Sequence, residues 1–178
     1  MPIGKQKRKQ YLRRVLLTLL VLLTAMAQNV PWLPAIFGLR ALPLLPLTVA
    51  IAILEQEIPA VLFAALGGLS WDLAADSHGL HALFLTATGF LCAMLLRYLL
   101  NRNWQTVALL SAAVSAGYLF LRWALEFAFP GRDLAMAVLL RSVLPSAAYT
   151  MLFCPFFYLL VRHIVRRTSR RQRGVLAQ

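Results

Sequence analysis

Gly67-Gly68-Leu69-Ser70-Trp71-Asp72-Leu73-Ala74-Ala75-Asp76-Ser77-His78-Gly79-Leu80-His81 separates two long apolar runs and holds two of the six acidic residues in the chain. This spacing predicts the end of one membrane span, a tight turn and the start of the next. Two carboxylates and two imidazoles this close to lipid are costly unless something pairs with them. The other spans are therefore expected to form a bundle that shelters this corner. Gly67, Gly68 and Ser70 are small enough to let helices approach closely, and Gly79 suits the turn.

Composition fixes the class. Of 178 residues, 61% are hydrophobic and 13% charged, with a mean hydropathy of +0.72. A soluble domain is about 45–50% apolar and about 25% charged. The 18 Lys and Arg against six Asp and Glu give +12. A nucleic-acid partner would need that charge as a patch on a folded polar surface. Here it stands at the ends of apolar runs, where it reads as a topology signal and argues against nucleic acid. Cys92 and Cys154 lie singly in apolar runs without CxxC spacing, which suits packing rather than a disulfide or a metal.

In chain order, residues 1–14 form a basic N-terminus with Lys5, Lys7, Arg8, Lys9, Arg13 and Arg14. Val15–Ala27 follows as a first span. Ala25-Met26-Ala27 would pass as a signal-peptide cleavage site, but apolar character resumes through Val30–Leu39, which favours an uncleaved span. Leu42–Leu54 and Ala60–Leu73 read as two short spans, below the usual ~20 residues. Leu80–Leu96, Thr106–Phe129 and Leu134–Val161 complete the set. Residues 15–161 are thus expected to form one transmembrane domain, and residues 162–178 a basic tail. Trp32, Trp71, Trp104 and Trp123 fall at or near span ends and read as interfacial anchors.

Charge placement sets the count. With six spans, both termini and the Arg97–Trp104 loop share one side, and that side collects 14 of the 18 basic residues. An odd count would put one basic end on the wrong side. The expected fold class is all-α, a single polytopic bundle of six transmembrane helices with N- and C-termini in the cytoplasm. The basic tail, Arg162–Arg173, is suited to anionic lipid.

The remaining basic residues, Arg40, Arg122, Arg132 and Arg141, fall toward the opposite side or within spans. Arg122 and Glu126 are four apart and share a helix face, and Arg141 interrupts the last span. The expectation is a polar cluster in which Arg122 and Arg141 neutralise Asp72 and Glu126. On that reading Asp72→Ala or Glu126→Ala weakens the bundle more than Asp76→Ala, because breaking a buried pair costs more than removing an exposed charge. Asp72, Asp76, His78 and His81 match no zinc spacing, so no metal and no cofactor are expected. Ser70 near His78 and His81 lacks a GxSxG context, and no P-loop or HExxH occurs, so no catalytic residue is expected.

The layout resembles the bacterial rod shape-determining protein MreD family. The pieces that carry the resemblance are Gly67-Gly68-Leu69-Ser70-Trp71-Asp72-Leu73 and the Ser77-His78-Gly79-Leu80 turn. Trp123-Ala124-Leu125-Glu126-Phe127 is similar to the acidic end of that family's fifth span. Pro155 followed by Tyr158-Leu159-Leu160-Val161-Arg162 is similar to its closing helix. Arg122 and Arg141 have no assigned place in the family pattern. The resemblance implies a non-enzymatic subunit of the cell-elongation complex in the bacterial cytoplasmic membrane. Such a subunit would bind MreC, a bitopic protein, and help couple MreB filaments to RodA, a class B transpeptidase and peptidoglycan synthesis. The family is also similar in fold to the substrate-capture subunits of energy-coupling-factor vitamin transporters, which gives the alternative of a small-molecule-binding subunit. A scaffold predicts a small-residue groove on the bundle exterior near Ala64, Gly67 and Gly68. A solute-binding subunit predicts an enclosed cavity with polar groups from Asp72, Arg122, Glu126 and Arg141.

Overall fold

A computed structural model describes residues 3–30, 35–36, 39–75, 79–99, 103–129 and 135–169. The described chain is helical apart from a two-residue antiparallel pairing, β1 (Ala35–Ile36) with β2 (Leu39–Arg40). Its helices are α1 (Ile3–Asn29), α2 (Leu44–Leu54), α3 (Glu57–Ala75), α4 (Leu80–Tyr98), α5 (Trp104–Trp123), α6 (Ala135–Val138), α7 (Leu144–Met151) and α8 (Cys154–Ser169). Two π-helical turns interrupt them, Ala124–Ala128 after α5 and Leu139–Val143 between α6 and α7. The second precedes Pro145, whose ring crowds the carbonyl of Arg141 and whose missing N–H breaks the ladder; a widened turn accommodates both.

Among the described residues, five helical segments are long and apolar enough to cross a membrane: Arg8–Asn29, Glu57–Ala75, Leu80–Tyr98, Trp104–Phe127 and Met136–Arg167. The second expected span differs. Its helix, α2, has eleven residues and is about 16 Å long, against about 30 Å of hydrocarbon. Pro43 stands at its N-cap, and Glu55, in extended conformation, ends it. What α2 lacks in length it makes up in burial. Leu44 through Ile53 are all buried, and α1, α3, α4, α5 and α8 pack around them. A helix apolar on every face belongs in the middle of a bundle, and its ring of neighbours forms the core with Leu17, Val21, Leu85, Tyr118 and Val161.

The tightest pairing is α3 against α4. A Cβ on Gly68 would lie 2.5 Å from the Ala82 Cα, and one on Gly89 would lie 2.6 Å from the Ala64 Cβ. Gly67 faces elsewhere, toward Val21 and Leu44. Gly79 opens α4 with φ +85°, a left-handed conformation that glycine adopts without a steric penalty. These small residues are consumed inside the bundle. The exterior groove expected beside Ala64, Gly67 and Gly68 is therefore not there: α4 fills it on one side, α1 and α2 on the other.

Two polar layers bound the apolar middle. At the basic end Arg13 meets Glu55 at 2.9 Å and Arg97 meets Glu57 at 2.8 Å. At the opposite end the Gln28 carboxamide oxygen accepts the Leu44 N–H at 3.1 Å, and the Thr150 hydroxyl oxygen accepts the Leu42 N–H at 3.1 Å. From Arg13 to Gln28 along α1 is about 22 Å.

Candidate functional site

The corner that organises the sequence is built around Asp72, in the last turn of α3. Close approach at Gly68 brings the start of α4 within its reach. One carboxylate oxygen accepts the His81 backbone N–H at 3.1 Å and lies 2.7 Å from His81 Nδ1. The other accepts the Ala82 N–H at 2.7 Å. Asp72 is thus a helix cap supplied from the preceding helix, satisfying the donors that every helix N-terminus leaves open and placing negative charge at its positive end. It also fixes the His81 ring, which stacks on Trp71 at 4.2 Å between centroids. Tyr118 of α5 completes the cluster, 5.2 Å from Trp71 and 5.8 Å from His81. Trp71 is buried, so it is part of this cluster and not the interfacial anchor its position suggested.

Above the N-terminus of α2 no described helix continues the centre of the bundle, and a cavity of about 990 Å³ lies at that end. Its lining includes Gln28, Trp71, His81, Tyr118, Arg122 and Glu126. Arg122 Nε donates to Glu126 Oε1 at 2.7 Å within one helix, and both side chains are about half exposed. The Tyr118 hydroxyl is buried beside the Arg122 guanidinium. Gln28 Nε2 is buried with no partner among the described residues.

The expected four-residue cluster is therefore divided. Arg122 and Glu126 pair, as their spacing predicts. Asp72 is held by His81 and by backbone N–H groups of α4. Arg141 lies on a π-turn, exposed, outside the cavity lining and outside the ion pairs of the described residues. The reason is geometric: the close packing of α3 on α4 sets Asp72 against the first turn of α4. Asp76, His78, Arg132 and the tail beyond Ser169 lie outside the described residues. Cys92 and Cys154 are both buried and free, and Cys154 Sγ lies 3.5 Å from the Ser111 hydroxyl oxygen.

Sequence reasoning missed four contributors. Gln28 and Tyr118 are single polar side chains in apolar runs, and nothing local marks them. Glu55 and Glu57 carry a signal that went unread: two acids at the foot of apolar helices on the side that gathers the basic residues. Fold and site together define a multi-pass helical membrane protein with a walled cavity at one end. The chain matches no family model, no curated protein and no solved structure.

Proposed function

We propose that this chain is a non-enzymatic scaffold subunit of the bacterial cell-elongation complex, of the MreD kind, in the cytoplasmic membrane. The observation that supports this reading is the double use of Asp72. The one acid at the centre of the resembling motif has both oxygens engaged in joining α3 to α4, and so holds a shape instead of performing chemistry. The basic end faces the cytoplasm on the positive-inside bias. On this reading α2 is the sixth crossing, a short one; the hydrogen bond of its start to Gln28 and the pairing of the residue after its end with Arg13 support it. The partner is an MreC-like bitopic protein, through which RodA, a class B transpeptidase and MreB are coupled; the basic tail meets anionic lipid.

A second reading, a small-molecule-binding subunit like those of energy-coupling-factor transporters, draws on the cavity beside Tyr118. One experiment separates the two. Purification of the full chain from its membranes in mild detergent, followed by protein and small-molecule mass spectrometry, should recover a bitopic membrane protein in stoichiometric amount. Recovery of the chain alone with a tightly bound small molecule would replace the scaffold with the second reading.

A further inference from the structure

The basic end of the bundle carries more positive charge than its own acids use. Glu55 is engaged by Arg13 and Glu57 by Arg97. Arg8, Lys9 and Arg14 on α1 and Arg162, Arg166 and Arg167 on α8 enter none of the ion pairs among the described residues. The α8 cations stand in an ordered setting. Tyr158, Arg162 and Arg166 follow at four-residue spacing and so form one row along α8. The Arg162 guanidinium carbon lies 5.7 Å from the centre of the Tyr158 ring. Tyr158 is buried, and its ring meets that of Trp104, the first residue of α5, at 5.3 Å between centroids. Trp104 is 44% exposed, Arg162 is partly buried, and Arg166 is exposed.

Read along the helix, this border between α8 and α5 runs from two aromatic rings to one arginine and then to a second, about 6 Å farther on. Tryptophan and tyrosine settle at the membrane–water interface, and the headgroup layer beyond the hydrocarbon is about 5–8 Å thick on each side. One turn of α8 therefore carries the row across that layer. A zwitterionic headgroup would bring its own ammonium group among Arg162, Arg166 and Arg167, whereas an anionic one brings no cation. We propose that the α5–α8 border at the basic end is a binding site for an anionic phospholipid. Arg162 and Arg166 hold its phosphate, and Trp104 packs on its glycerol-ester region. This rests on the reading that the basic end meets anionic lipid, and it assigns the contact to one place, distinct from the basic start of α1.

The test titrates the full chain, delipidated in neutral detergent, with dioleoyl phosphatidylglycerol and separately with dioleoyl phosphatidylcholine, and follows the midpoint of thermal unfolding. A saturable rise is expected with phosphatidylglycerol, at a lower lipid fraction than with phosphatidylcholine. Arg162→Gln and Arg166→Gln should each raise the half-saturating fraction about fivefold. Arg166 is exposed, so its variant decides the matter if Arg162→Gln does not fold. The double variant Arg8→Gln with Arg14→Gln removes two charges from α1 and should stay within about twofold of the parent. If that double variant weakens binding as much as the α8 variants do, the anionic-lipid reading stands and the α5–α8 site falls. If no variant of either helix changes the titration, the site falls as well. If phosphatidylglycerol and phosphatidylcholine act alike on the parent chain, both the site and the reading fall. If inorganic phosphate at the same concentration reproduces the rise, the site takes a soluble anion and the lipid assignment is overturned.

Discussion

Asp72 and Glu126 are acids near the same end of the bundle, each with a basic side chain 2.7 Å away, yet they do different work. Asp72 is buried, and its three contacts with His81 and Ala82 join two helices. Glu126 is half exposed, and its bond to Arg122 stays within one continuous helical segment. The lesson is that a short ion-pair distance says little about stabilisation. Burial and the number of elements joined say more, because an exposed pair exchanges protein contacts for water at almost no net gain, whereas a buried carboxylate stripped of its donors has no substitute.

The largest effect should therefore come from Asp72→Ala. It removes a helix cap, two backbone hydrogen bonds and the anchor of His81, a loss of about 3 kcal/mol. Thermal unfolding in detergent should show it as a large fall in midpoint. Glu126→Ala, which the sequence placed beside Asp72 in importance, should cost less than about 0.5 kcal/mol. Equal losses for the two would mean that burial and bridging are the wrong criteria.

How Asp72 came to be readable, and its partner not, is instructive. An acid at the end of an apolar run, followed within ten residues by Gly79 and a new apolar run, marks a hairpin; Gly67 and Gly68 mark close packing. All of that is local pattern. The partner was expected among the arginines because long-range charge pairing is visible in a sequence. A helix N-terminus, which is not a residue, leaves no such mark. Likewise the cavity follows from α2 ending at Leu44, and only the packed bundle shows that no other described helix takes its place. The positions of Gln28 and Tyr118 around that space depend on four helices at once.

A second test concerns how Asp72 is brought to α4. Gly68→Ala places a methyl carbon 2.5 Å from the Ala82 Cα and 2.8 Å from the His81 oxygen, backbone atoms that cannot rotate away. The hairpin must open, and the cap lengthens with it, for about 2 kcal/mol. Gly67→Ala meets only the Val21 side chain at 3.2 Å and should cost less than half of that. Should Gly67→Ala prove the worse of the two, the close approach is not what seats Asp72. The midpoint of thermal unfolding measures both.

The smallest effect sharpens the contrast from the basic end. Glu55 is as buried as Asp72 and lies 2.9 Å from Arg13 Nε, but that contact is not aligned as a hydrogen bond. Burial pushes its carboxyl above the ordinary glutamate range; Arg13, the Gln56 backbone N–H and Arg14 oppose the shift and do not overcome it. An acid whose folded pKa is raised binds its proton more tightly when folded, so folding is disfavoured while it is ionised. That penalty is fully present above the folded pKa, shrinks as pH falls through it, and is gone below the unfolded value near ~4.3. Relative to Glu55→Gln, the parent chain should therefore gain stability as pH falls from neutral toward that value, a rise of a few degrees in the unfolding midpoint at most. A parallel pH profile for the two chains would show that Arg13 compensates the buried charge fully. Glu55 would then resemble Asp72: a buried acid made tolerable by its donors.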